Sequence, residues 1–218
     1  MSKPQHDAGD TATVPGRPPR YTLIRRAALE ARPWKNGGGV TREIAVFPEG
    51  AGMDDFVWRV SLADVAAAGP FSRFPGVDRT LVLLSGDGMV LHQDDGTQHA
   101  LARPLELAVF AGETPIDATL HGGATRDFNL MLRRDAARGR VEVWQGAGRH
   151  VLDGDVVLLF CAQGRVELSL GDDAPMALEA DDTLRLDAAA ALACRVEGDG
   201  ALLAVSIRLL PLTPSDRS

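Results

Sequence analysis

What most constrains this chain is the recurrence of short strand-like runs rich in apolar side chains, in some of which apolar and polar residues alternate. They are cut apart by clusters of Gly, Asp and Pro. Such runs occupy residues 41–47, 56–62, 80–84, 89–92, 105–110 and 128–132. A period of two belongs to a strand, whose successive side chains point to opposite faces. In the run at 56–62, Phe56, Trp58, Val60 and Leu62 share one face, and Val57, Arg59 and Ser61 share the other. The spacing of the turn clusters is that of an antiparallel sandwich or barrel. Helical pattern is scarce. One or two turns are expected over residues 25–31, and another short piece over residues 64–68 behind Asp64 as an N-cap. The fold class expected is all-β with few short helices.

The pattern also repeats. Residues 82–91 can be laid over 158–167, which sets Gly88 on Gly164 and Val90 on Val166. Residues 104–109 then meet 181–186 after a slip of about one position. Two unrelated β hairpins would overlay with similar ease, so the pattern alone does not separate a repeat from coincidence. Read as a repeat, it divides the 218 residues into a first unit at 21–135 and a second at 136–211. A disordered leader is expected at 1–20 and a disordered tail at 212–218. The leader holds Pro4, Pro15, Pro18 and Pro19 among polar residues and lacks the apolar stretch of a secretory signal.

Charge narrows the function classes. With 23 Lys and Arg against 30 Asp and Glu, the net charge of −7 argues against nucleic acid, whose phosphates require a basic face. No apolar run approaches the roughly 20 residues that span a bilayer. Cys161 and Cys194 both lie in apolar surroundings and read as buried free thiols. Nothing else suggests an oxidising compartment, and a cytoplasmic location is expected.

Three clusters could carry chemistry. The first is Trp34-Lys35-Asn36-Gly37-Gly38-Gly39, followed by Val40-Thr41-Arg42-Glu43. Three consecutive glycines are entropically costly, so they serve either a tight strand entry at positive φ or the close approach of backbone to a ligand. A phosphate loop is excluded, because a strand follows the glycines where a helix would be required. In the second cluster Arg59 and Ser61 point the same way, about 7 Å apart by strand rise. If their face lines a barrel, Arg59 needs an anionic partner such as Glu43, Asp127 or a ligand carboxylate; if it faces outward, Arg59 is merely solvated. Alternation does not choose the face. The third cluster, Gly69-Pro70-Phe71-Ser72-Arg73-Phe74-Pro75-Gly76, leads toward Arg79 and the next strand.

Four ordered motifs closely resemble the HutD/Ves family. They are Trp34-Lys35-Asn36-Gly37-Gly38-Gly39-x-Thr41-Arg42-Glu43, Trp58-Arg59-x-Ser61-x-Ala63-x-Val65, Gly69-Pro70-Phe71-Ser72-x-Phe74-x-Gly76-x-x-Arg79 and Thr125-x-Asp127-Phe128-Asn129-x-Met131. The resemblance runs from about residue 21 to 131 and thins in the second half. It implies a double cupin, two jelly-roll β-sandwich or barrel units, in a cytoplasmic bacterial protein. Cupins bind metal through His-x-His and Glu, but this chain offers Phe71, Ser72 and Phe74 at those places, and no His or Glu between residues 65 and 91. The five histidines are scattered. No metal and no cofactor are therefore expected.

The resemblance also implies an association with histidine utilisation (the HutD branch) or with stress response (the Ves branch). Together the motifs describe a pocket whose ligand-binding residues would be Trp34, Lys35, Asn36, Arg42, Glu43, Arg59, Ser61, Phe71, Ser72, Arg79, Asp127 and Asn129. The surplus of cationic donors suggests a small anionic metabolite. The pathway association points to a carboxylate such as urocanate or a formyl- or formiminoglutamate, held by a regulatory or sensing protein. The alternative is a metal-independent isomerase or hydrolase on a small carboxylate, with Glu43 or Asp127 as acid or base. Neither nucleic acid nor membrane is an expected partner, and a homodimer joined through sheet edges is a further expectation.

Overall fold

The computed structural model describes residues 20–34 and 37–211, and it is built almost wholly of strands. The first unit contains β2 (Ala31–Pro33), β3 (Gly39–Phe47), β4 (Trp58–Val65), β5 (Gly69–Pro70), β6 (Val77–Ser85) and β7 (Met89–Gln93). It continues through β8 (Gln98–Leu101), β9 (Leu107–Ala111), β10 (Ile116–Leu120) and β11 (Thr125–Arg133). The second unit contains β12 (Ala137–Gln145), β13 (Gly148–Gln163), β14 (Arg165–Leu170), β15 (Met176–Glu179), β16 (Thr183–Glu197) and β17 (Ala201–Leu209). The first strand of the chain, β1 (Arg20–Ile24), runs antiparallel to the start of β16 and thus joins the sheet of the second unit.

The all-β expectation holds. Among the described residues the one helical piece is a 3-10 turn at Arg26–Ala28. The helix expected over residues 64–68 does not form: Asp64 and Val65 continue β4, paired with Arg126 and Thr125 of β11. Asp64 accepts from Arg42 there instead of capping a helix. No helix of the described residues is long and apolar enough to cross a membrane.

In the first unit a six-stranded sheet, β2-β3-β4-β11-β6-β9, faces a four-stranded sheet, β5-β10-β7-β8. The second unit is one continuous sheet, β12-β17-β13-β16-β14-β15, with β1 along β16. Its long strands bend to close over their own core. The β13–β16 register shifts between Leu152 and Gly154, and Ala188 and Ala191 on β16 have positive φ. Between the units lies a third core. Trp58, Val60, Leu62, Phe128, Leu130, Val82 and Leu84 pack against Val156, Leu158, Phe160, Leu203, Val205 and Ile207. Strands β4, β6 and β11 are therefore covered on both sides, with the odd-numbered residues of β4 facing the interior of the first unit.

The two units share one topology: β4-β11-β6-β9 corresponds to β12-β17-β13-β16, each set in the same chain order. Hydrogen bonds fix the register. Leu105 N donates to Leu83 O at 2.7 Å and Leu83 N to Glu106 O at 2.9 Å. In the second unit Asp181 N donates to Cys161 O at 2.8 Å and Cys161 N to Asp182 O at 2.9 Å. Leu105 and Asp181 have φ of 73° and 74°. Leu83 therefore corresponds to Cys161 and Gly86 to Gly164. This corrects the overlay of 82–91 on 158–167 by two residues, a slip that alternation cannot detect because it leaves every side chain on its own face. It corrects the overlay of 104–109 on 181–186 by one, since Leu105 and not Pro104 falls on Asp181.

The shared core predicts joint unfolding. Phe128 and Phe160 meet across it at 5.1 Å between ring centroids. Phe128→Ala is expected to lose about 3–5 kcal/mol, measured by chemical denaturation. It should leave a single transition, because the cavity opens in the core that both units share.

Candidate functional site

The shared core decides which side chains of β4, β6 and β11 enter the first unit. Arg59 and Ser61 of β4, Arg79 of β6, and Asp127 and Asn129 of β11 all turn inward, joined by Glu43 of β3. Register sets Ser61 between Glu43 and Asn129, and Met131 between Arg59 and Arg79. All of these side chains except Glu43 are buried.

They form two groups. In the first, Arg59 Nε donates to Glu43 Oε2 at 2.8 Å and its Nη1 to Ser61 Oγ at 3.2 Å. In the second, Arg79 Nη2 donates to Asn129 Oδ1 at 2.8 Å, and Asn129 Nδ2 donates to Asp127 Oδ1. The guanidinium of Arg79 lies over three rings, 5.4 Å from the centroid of Phe71, 5.6 Å from Phe74 and 5.1 Å from Phe110. Among the described residues Arg79 Nε and Asp127 Oδ2 have no hydrogen-bond partner, and neither has Thr125 Oγ1 on β11. Buried polar atoms are seldom left so.

Burial controls the charge of this second group. It pushes the Asp127 carboxyl up to about 7, against the opposing pull of Arg79 and the Asn129 hydrogen bond. Burial also draws Arg79 down to about 10, with Asp127 opposing and the like charge of Arg59 adding to the shift. The site is thus a buried cation beside a carboxyl that gives up its proton near neutrality.

Other residues expected at the pocket fall elsewhere. Arg42 faces the opposite side of the sheet, opposite Leu62, where it pairs with Asp64. Asp64 also meets Arg126, at 3.4 Å, and Arg126 meets Asp181 of the second unit at 2.9 Å. Arg26 joins Asp181 at 3.4 Å and Arg25 joins Asp182 at 2.7 Å, so Arg42 belongs to an ionic seam between the units. Ser72 is exposed. Trp34 packs at the edge of the first unit's core and donates from Nε1 to Thr41 Oγ1 at 2.7 Å. Lys35 and Asn36 lie outside the described residues.

The glycine run makes a tight strand entry. Gly37 has φ of 71°, and a Cβ on Gly39 would sit 2.5 Å from Asp64 O and 3.1 Å from the Trp34 ring. Phe110 was not singled out from the sequence. Its alternation on β9 marks it as inward, but only the β6–β9 register, which sets it opposite Arg79, makes it the third ring of the cage. Among the described residues no three His, Cys, Asp or Glu side chains converge as metal ligands.

Comparison with known proteins agrees with this architecture. The HutD family model matches residues 26–204. The chain belongs to the HutD family. An uncharacterized 21.2 kDa protein of the hutC 3′ region of Pseudomonas putida is 39% identical over 165 residues, covering 76% of this chain and 86% of that one. Protein Ves of Citrobacter koseri is 42% identical over 124 residues, or 56% of this chain and 62% of its own length. The structure of HutD from Pseudomonas fluorescens SBW25, formate condition, superposes with a TM-score of 0.76 at 31% identity. That match covers 88% of this chain and 100% of the other. An oxalate decarboxylase from Lactobacillus farciminis shares the fold alone, with a TM-score of 0.58 at 9% identity over 91% of this chain and 87% of that one. With these neighbours the two units are cupin-like, and the chain has a double-cupin fold.

The raised Asp127 pKa fixes the sign of a pH effect. Between about pH 4, where an unfolded Asp ionises, and about pH 7, the folded chain holds a proton that the unfolded chain has lost. The contribution of Asp127 to stability is thus full below that window, falls as pH rises through it, and levels off above. Asp127→Asn should remove this decline. Denaturation midpoints compared at about pH 5 and about pH 8 are expected to show the variant gaining on the wild type at the higher pH.

Proposed function

We propose that the interior of the first unit binds a small carboxylate and that the protein serves as a regulatory or sensing component of histidine breakdown. The observation that carries this reading is Arg79. It is a buried guanidinium that, among the described residues, has a neutral amide as its one hydrogen-bond partner, leaves its Nε unsatisfied and forms no ion pair. A buried cation without a paired anion is costly, and a ligand carboxylate would offset that cost in bidentate geometry. The three rings around Arg79 supply the apolar walls that small-molecule sites require. Arg59, already paired with Glu43, would set the polar rim of the site and not its anchor.

The pathway assignment draws on the relatives: one is named for its position beside hutC, and another was solved in a formate condition. Formate, urocanate and N-formylglutamate are therefore the first probes. A second reading, turnover of a carboxylate without metal, draws on Asp127, whose carboxyl near 7 suits a general acid or base. Incubation with each probe followed by proton NMR separates the two readings, since binding alone leaves the probe unchanged.

Thermal unfolding tests the anchor. A probe at about 100 times its Kd should add about 2.7 kcal/mol to the wild type. Arg79→Met should abolish that shift and still fold. Its thioether suits the ring cage, and Asp127 can remain protonated beside it. A shift that persists in Arg79→Met would remove Arg79 from the site.

A further inference from the structure

The second unit carries a cavity of its own, of about 370 Å³, at the mouth of its sandwich. It owes its openness to a short connection. In the first unit, residues 71–76 run between β5 and β6 and bring Phe71 and Phe74 over Arg79. The second unit crosses the same point within β13, at the bulge between Leu152 and Gly154, so among the described residues no equivalent segment covers its mouth.

The inward face beneath differs in a defined way. By the register above, Asp127 corresponds to Leu202 and Asn129 to Ala204, so the deep polar group of the first unit is apolar in the second. Arg59, however, corresponds to Arg140. One step further toward the mouth, Arg138 and Arg208 stand opposite each other on β12 and β17 and share its face. Three guanidinium groups thus ring the cavity over a floor that includes Trp144 and Val157. Trp144 is held in place by stacking on His150, with ring centroids 3.6 Å apart.

The charges here do not cancel. Arg140 pairs with Glu142 at 2.6 Å and Arg208 with Asp153. Arg138 donates to the carbonyls of Arg134 and Ala137 and, among the described residues, meets no carboxylate. The pairs of Arg140 and Arg208 are half-exposed, a setting in which an ion pair is weak and exchanges readily for another anion. We propose that this mouth is a second binding site, for a small compound bearing two or more carboxylates. One carboxylate would engage Arg138 and another would displace Glu142 or Asp153 from its arginine, with the carbon skeleton on Trp144 and Val157. This site stands independently of ligand binding in the first unit.

Calorimetric titration of the full chain with succinate and with citrate at low ionic strength tests it, run in the wild type, Arg79→Met, Arg138→Gln and the pair Arg140→Gln/Arg208→Gln. Arg140 and Arg208 have side chains 69% and 53% exposed, so their replacement leaves the core untouched. Saturable binding is expected in the wild type and in Arg79→Met. It should weaken about tenfold or more in Arg138→Gln and in the double variant, and also as salt is raised. Absence of saturable binding in the wild type overturns the proposal. So does binding that survives the mouth substitutions, or binding lost only in Arg79→Met, which would place both probes in the first unit.

Discussion

The architecture depends on the apolar face that the two units bury against each other. Strands β4, β6 and β11 give one set of alternating side chains, Trp58, Val60, Leu62, Val82, Phe128 and Leu130, to that shared core. The strand period then leaves no freedom for the other set. Arg59, Ser61, Arg79, Asp127 and Asn129 must enter the first unit, charged or not. A solvated outward face for Arg59 is excluded by what lies on the opposite side of its strand. The polar interior is in this sense a consequence of packing elsewhere, and the side chains within it are disposed to lessen the cost of being there.

That cost is met differently by the two charged groups. Arg59 has an immediate carboxylate in Glu43, which is itself partly exposed, so the pair sits where water still screens it. Arg79 lies deeper, and its nearest acidic residue is separated from it by the Asn129 amide. Desolvation outweighs attraction for both Arg79 and Asp127, which is why the cation is pulled down and the acid pushed up together. Three aromatic faces replace part of the hydration that Arg79 has lost, but rings cannot accept from Nε in the plane of the guanidinium. The unsatisfied Nε, Asp127 Oδ2 and Thr125 Oγ1 all lie on this one face. Among the described residues Trp58 Nε1 and Thr183 Oγ1 are also unsatisfied but stand apart, on β4 of the first unit and β16 of the second, whereas these three share one interior. Such a grouping belongs to a site more readily than to a core.

Much of this was legible from residue order. Period-two runs located β3, β4, β6, β7, β9 and β11 to within a few residues, and the motifs around Arg59, Arg79 and Asp127 marked the residues that converge. Arg42 shows a signal that went unused. Within its run it alternates with Glu43 and shares a face with Ile44, a residue of the shared core, so it could not enter the pocket beside Glu43. Other features lay beyond reach. The pairing of β1 with β16 joins Tyr21 to Leu186, and no local pattern encodes a contact at that separation. The overlay of 82–91 on 158–167 was displaced by two residues because alternation is blind to even shifts; the matching hydrogen bonds of Leu83 and Cys161, with Leu105 and Asp181 both at positive φ, fix it.

The corrected register changes how the two halves compare. Under the displaced overlay, Leu83 would correspond to Leu159 and the arginines of the two units would fall out of step. Under the hydrogen-bonded one, Arg59 and Arg140 coincide, whereas Asp127 and Asn129 become Leu202 and Ala204. The repeated fold has therefore kept a cation at the rim of each sandwich and filled the floor of one with apolar side chains. Arg140 is largely exposed and pairs with Glu142, so it is solvated where Arg59 is buried, and desolvation does not oppose a cation at that position. What recurs in both units is a guanidinium beside the opening of a sandwich, the place where a small anion can reach it without crossing the core.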